Sequence, residues 1–282
     1  ALGYGGVLPI LQIDQDGLTV PLVPAFEPQS NQPISPEQAA RFLKQASLGA
    51  DYELIETVAQ SGIEPWIDYQ LSLAPTYHLP ANNALGIQFL EQAEDVYVSD
   101  YRWTWWEIAM KAPDTLRQRV AFALSEILVI SDRVDLLEDL QWGIASYYDV
   151  LVDGAFGNYR DTLLRVSRHP AMGFWLSHAK NQPTNLELNR FPDENYAREL
   201  MQLFSIGLFE LNLDGTRRLD SNGEAIPTYG NRDITELAKV FTGLTYNPQF
   251  PNDGSPFYGD EEENWTIDSV ESYLDVEDHF LT

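Results

Sequence analysis

Helix punctuation recurs along this chain from residue 35 to residue 243, and it constrains the fold more than any other feature. Ser35-Pro36-Glu37-Gln38 places a Ser N-cap, a Pro at the first helical position and a Gln at the third. That is a capping box, in which side chains satisfy backbone N–H groups that have no partner in the first turn. The helix it opens runs to about Ser47, where Leu48-Gly49 stops it. Asp51 caps a second short helix ending near Gly62, and Glu64-Pro65-Trp66 starts a third. Asp114 is expected to cap a long helix from Leu116 to Ile130 that is apolar on almost every side after Val120, the pattern of a central buried helix. Further helices are expected over 136–153 and 159–167. Asp193 to Ile206 is the cleanest amphipathic segment: at about 100° per residue, Tyr196, Ala197, Leu200, Met201, Leu203 and Phe204 share one side. Glu194, Asn195, Arg198, Glu199, Gln202 and Ser205 share the other. Asp233-Ile234-Thr235-Glu236 reads as a second capping box, opening a helix that Gly243 closes.

Strand signals are confined to two places. The opening stretch to Asn31 has four prolines and short apolar runs, an extended arm with one hairpin around Asp16-Gly17. Leu211-Asn212-Leu213-Asp214-Gly215-Thr216, followed by Asp220-Ser221-Asn222-Gly223, puts two Asx-Gly turns close together, which predicts a β-hairpin excursion. No internal repeat is evident. The expected fold class is therefore mainly α. It is a single helical domain over 34–246 with an extended arm over 1–33, a small β-hairpin excursion and an acidic Pro/Gly-rich tail over 247–282. Strands and helices do not alternate, and no Gly-x-Gly-x-x-Gly or phosphate loop is present, so nucleotide cofactors have no support.

Charge narrows the function classes. The 282 residues carry 17 Lys plus Arg against 43 Asp plus Glu, a formal charge of −26. Nucleic-acid affinity comes largely from cationic side chains displacing counterions, so this surface repels nucleic acid, and an anionic membrane surface likewise. No apolar run approaches the roughly 20 residues of a spanning helix. There is no cysteine, hence no disulfide framework, thiolate nucleophile or Cys-ligated metal. Residues 1–101 hold two basic residues against thirteen acids, and 240–282 hold ten acids and no base. Residues 102–239 hold fifteen against twenty, so the nearly balanced middle is where function is expected. The chain starts at Ala1 without a charged-then-apolar leader, which reads as a processed mature chain or a fragment.

Four segments follow one another in an order distinctive enough to name a family: Arg41-Phe42-Leu43-Lys44-Gln45-Ala46-Ser47-Leu48-Gly49, then Leu116-Arg117-Gln118-Arg119-Val120-Ala121-Phe122-Ala123-Leu124-Ser125, then Pro192-Asp193-Glu194-Asn195-Tyr196-Ala197-Arg198-Glu199-Leu200-Met201-Gln202-Leu203-Phe204, then Val240-Phe241-Thr242-Gly243-Leu244. Together, from about Ser35 to the C-terminus, they resemble the bacterial family called domain of unknown function 1800. The resemblance implies a mature exported protein, secreted to the extracellular or periplasmic space. It also implies a C-terminal part beyond this chain, and Glu277-Asp278-His279 is expected to correspond to a family segment that contains a His. Members often occur beside an exported family resembling sulfatases and phosphatases, which points toward extracellular polymers. Some members carry histidines in the helix matching Phe122–Ile127, where this chain has Leu124 and Glu126, so no histidine role transfers there.

Each candidate residue has a plain reading beside a functional one. Glu126, set in an apolar run, is expected to be buried, either as a structural ion pair or as a general acid with a raised pKa. Glu194–Arg198 and Asn195–Glu199 stand four residues apart and form either a structural network or the lining of a ligand cleft. Trp103 and Trp106 share a helix face while Trp105 points elsewhere, for core packing or for a platform that stacks sugar rings. His78, His169, His178 and His279 match no metal spacing, so no metal site is assigned. No cofactor is expected; the two Asx-Gly turns and the run Asp260-Glu261-Glu262-Glu263 leave room for a loosely held Ca²⁺ and nothing more. The expected function is a binding or assembly component at the cell surface or in the extracellular medium, whose partner is another exported protein, a second copy or an extracellular polysaccharide. The alternative is a carboxylate-dependent hydrolase acting on such a polymer through two of Glu126, Glu194 and Glu199.

Overall fold

The computed structural model describes residues 12–14, 17–19, 33–91, 98–133, 137 and 141–244. Most of the expected arm (1–33) and all of the acidic tail (247–282), with His279, lie outside the described residues. Within the arm, β1 (Gln12–Asp14) pairs antiparallel with β2 (Gly17–Thr19), Asp14 opposite Gly17, so the connection is centred one residue before the expected Asp16-Gly17 turn.

Eleven helices make up almost all the regular structure among the described residues, and the fold is mainly α. Backbone contacts gather the chain into two compact units, residues 1–125 with 135–159, and residues 126–134 with 160–282.

In the first unit, α1 (Pro36–Ala46) is held by its capping box: Gln38 N donates to Ser35 Oγ at 3.3 Å and Ser35 N to Gln38 Oε1 at 2.9 Å. Asp51 accepts from Leu54 N at 2.7 Å to start α2 (Tyr52–Ser61). Gly62, at φ 90°, is the joint between α2 and α3 (Ile63–Ser72), a backbone state that a side chain would oppose. Ala39, Leu43, Val58, Ala59 and Trp66 form the buried seam of these helices, with the Phe42 ring edge-on to Trp66 at 5.3 Å. Then come α4 (His78–Glu91), α5 (Val98–Lys111), α6 (Thr115–Ser125) and α7 (Gln141–Gly154), with α7 packed on both α4 and α6.

Two expectations are corrected here. Asp114 does not cap α6 with its side chain; it is buried and turns to residue 76, accepting from Thr76 N at 2.8 Å. Helix α6 ends at Ser125, not Ile130, and Glu126, Ile127 and Val129 are exposed beyond it while Leu128 is buried. The apolar run is thus a helix end followed by a turn.

The second unit holds α8 (Tyr159–Arg168) from its second residue on, with α9 (Pro170–Trp175), α10 (Asn195–Gln202) and α11 (Asn231–Val240). His169 caps α9 through Nδ1, which accepts from Ala171 N. The cap of α11 is Gly230, three residues before the expected Asp233, whose carboxylate instead reaches back to Gly230 N at 2.8 Å. The excursion over 208–228 has both Asx-Gly turns, with Gly215 and Gly223 at φ 81° and 84°. Its pairing differs from one simple hairpin: Glu210 N donates to Ile226 O, Arg218 N to Glu210 O, and Ile226 N to Arg218 O, so each of three segments bonds both others. The bonded residues are spaced by eight, and Leu211-Asn212-Leu213-Asp214-Gly215 aligns with Leu219-Asp220-Ser221-Asn222-Gly223. A short repeat therefore exists where none was expected.

Burial holds three imidazoles neutral: His78 and His178 are pushed down to about 4 and His169 to about 3, in each case first by loss of solvation. The folded state binds fewer protons than the unfolded chain below about pH 6.5, so this stability is complete above that pH and is lost as pH falls toward 4. Burial raises the Asp114 carboxyl, which works in the opposite direction by costing stability as pH rises above its ordinary range. Thermal melts from pH 7.5 to 4.5 are expected to show a midpoint that drops by several degrees between pH 6.5 and 4.5; a flat profile contradicts neutral buried histidines.

Candidate functional site

Helix α5 divides its side chains cleanly between two surroundings. Tyr101, Thr104 and Ile108 are buried, while Trp103, Trp106 and Met110, at i, i+3 and i+7, are 70%, 58% and 70% exposed. Trp105 packs inward, its ring 5.9 Å from Phe122 and edge-on to Tyr148 at 6.3 Å. It also meets Trp106 edge-on, at 5.1 Å and 90°. The expected shared face of Trp103 and Trp106 thus points to solvent, and the ring of Trp106 is oriented from below by Trp105. Lys111 and Glu107 form an ion pair one turn apart on the same helix.

The second set of candidates lies on α10. Its buried side is Tyr196, Ala197 and Phe204, although Leu203, expected on that side, is exposed. Ala197 packs with Ile234 and Ala238 of α11. Glu194 links the two helices: Arg198 donates to Oε2 at 3.2 Å and Thr235 Oγ1 to Oε1 at 3.1 Å. The pair with Arg198 is half exposed and worth little by itself. Asn195 is exposed and does not bond Glu199; its backbone N–H goes to the Asp193 carboxylate at 2.8 Å. Glu199 is half-buried, with Oε2 shielded from solvent and without a hydrogen-bond partner.

What fixes α10 is a loop that sequence reasoning passed over. Asn181 Nδ2 donates to Asp193 O at 3.1 Å and its Oδ1 accepts from Asp193 N at 2.8 Å, so one buried amide clamps the backbone that enters α10. His178 donates Nε2–H to Ser167 O at 2.8 Å and stacks on Tyr196 at 3.9 Å, and Tyr196 Oη bonds Ser167 Oγ. Lys180 N reaches Leu244 O, and Gly243 N reaches Asn181 O. Ser177 and Lys180 hold φ near +60° in this loop, strain that only an over-determined surrounding sustains. The one local signal is the density of polar residues after Trp175.

Glu126, expected to be buried, is exposed past the end of α6, so it has neither the buried ion pair nor the desolvation that its apolar neighbours implied. The Asx-Gly turns close on themselves: Asp214 accepts from Thr216 N and Oγ1, and Asp220 from Asn222 N and Glu224 N. Among the described residues, no group of three or more His, Asp or Glu is placed to hold a metal ion.

A family model described as "Protein of unknown function (DUF1800)" matches residues 41–270. No curated protein and no solved structure matches the chain.

The geometry separates Asn181 from Asn195. Asn181→Ala frees two backbone groups in a buried setting and is expected to cost about 1–3 kcal/mol, whereas Asn195→Ala at an exposed position is expected to stay within about 0.5 kcal/mol. Urea denaturation of both variants checks this, and equal losses would sink the clamp.

Proposed function

The chain belongs to the DUF1800 family, and from that premise we propose that it is an exported binding component, acting at the cell surface or in the extracellular medium through the outward face of α5. The observation that supports the reading is the exposure of two indoles on one side of a helix whose other side is fully engaged in the core. Trp is the residue type whose burial at an interface contributes most, and a ring already oriented by its neighbour loses little freedom on binding. A surface this acidic resists self-association, so the partner is something other than a second copy.

The competing reading, a carboxylate-dependent hydrolase, draws less from the geometry. Glu194 has each oxygen engaged, by Arg198 and by Thr235, and Glu126 stands in solvent. That leaves Glu199 alone to carry it.

Trp103→Ala combined with Trp106→Ala changes exposed positions and is expected to leave the far-ultraviolet circular dichroism and the melting midpoint nearly unchanged. Expressed in the producing cell, the double variant is expected to be lost from the cell surface into the medium, with wild type retained. Equal partition of the two proteins would remove α5 as the contact face.

A further inference from the structure

The ligand class follows from the shape of the α5 face. We infer that α5 binds a neutral, pyranose-based polysaccharide strand lying along its axis, with Trp103 and Trp106 stacking on successive apolar sugar faces. This inference rests on the reading of α5 as the contact face and adds the identity of what it contacts.

Width argues against a protein partner. A stable protein interface takes about 800 Å² from each side, whereas the α5 face is a single row of three side chains, Trp103, Trp106 and Met110. The other large exposed apolar side chains among the described residues of the same unit, Tyr52, Leu71 and Tyr159, belong to other helices, so α5 itself offers only this row. A row suits a chain.

Spacing and orientation argue for stacked rings. At 1.5 Å per residue, Trp106 lies about 4.5 Å along the axis from Trp103 and Met110 about 6 Å further. These steps are comparable to one sugar unit of an extended polysaccharide, whose axial C–H groups present an apolar face on each ring. The edge-on contact with Trp105 fixes the plane of Trp106, as a stacking partner requires. Glu107 and Lys111 carry polar groups on the same helix, suited to exchange hydrogen bonds with ring hydroxyls at the edge of the strand.

Charge selects among polysaccharides. The chain as a whole, with 43 acids against 17 basic residues, disfavours uronate or phosphate polymers, and α5 itself, with Arg102 and Lys111 matched by Asp100 and Glu107, has no excess of cations to hold one, so the strand is uncharged. Stacking on a neutral ring carries little Coulomb energy, so binding is insensitive to salt.

Affinity electrophoresis of the full chain tests this, with hydroxyethylcellulose as the neutral probe and alginate as the anionic one, alongside depletion onto insoluble chitin and cellulose at low and high sodium chloride. Wild type is expected to bind at least one neutral polymer, not alginate, and equally at both salt concentrations. Trp103→Ala and Trp106→Ala are each expected to weaken that binding about tenfold, while Leu213→Ala, a fully exposed leucine of the second unit, leaves it unchanged. No binding to any neutral polymer, binding confined to alginate, or equal binding by the tryptophan variants overturns the inference. If the double variant leaves the cell surface while wild type binds no polysaccharide, the contact face stands and its ligand is a protein. If neither surface retention nor polymer binding changes, both readings fall.

Discussion

A buried carboxylate anchors the architecture of the first unit. Asp114 sits in the turn between α5 and α6, where it accepts from Thr76 N and from Gln118 Nε2, with Arg117 3.9 Å away. Removing a charged carboxylate from water costs several kcal/mol, and here burial outweighs the hydrogen bonds and pushes the group toward its neutral form. The turn is held from a second side by Gln70, which donates to Pro113 O and accepts from Leu116 N. Gln118 carries the same network to Thr76 O and to His78, and Asp149 caps the start of α4 by accepting from His78 N and Leu79 N. Because Gln118 spends its amide N–H groups on Thr76 and Asp114, its oxygen must accept, so His78 carries its proton on Nε2. The exposed face of α5 is dependable because the end of that helix is tied down in this way.

The second unit solves its own problem with an amide. Its most distinctive segment, Pro192 to Phe204, is amphipathic but short as a helix, eight residues in α10, too short to persist without tertiary contacts. Asn181, His178 and Ser167 provide them, holding the entry to α10, the Tyr196 ring and the chain after α11. This accounts for the company that Pro192–Phe204 and Val240–Leu244 keep in the sequence: both segments bond the same loop.

How much of this the sequence disclosed depends on how local the cause is. The caps at Ser35 and Asp51 act over three residues and were legible, as was the division of the α5 tryptophans, which follows from helical period. Asp114 and Gln70 were not legible, because their partners lie 38 and 43 to 46 residues away and nothing near them marks the pairing. Glu126 was misread because an apolar run does not reveal where a helix ends; only packing decides that Leu128 turns in and Ile127 out. The three-segment ribbon was read as a hairpin because its turns are visible and its third pairing, Ile226 to Arg218, is not. The functional candidates divide the same way: Trp103 and Trp106 gained a setting, Glu194 became a link between helices, and Asn181 emerged only from the fold.

The physical chain from the Asp114 turn, through the packing of Trp105, to the presented indoles ends in one claim, that Trp103 and Trp106 stand in solvent on a face organised from beneath. Hydroxyl-radical footprinting of the full chain, read residue by residue by mass spectrometry, measures that directly. The account predicts that Trp103 and Trp106 are oxidised several times faster than Trp105 and the buried Trp66. Trp103 and Trp106 as protected as Trp66 would contradict it.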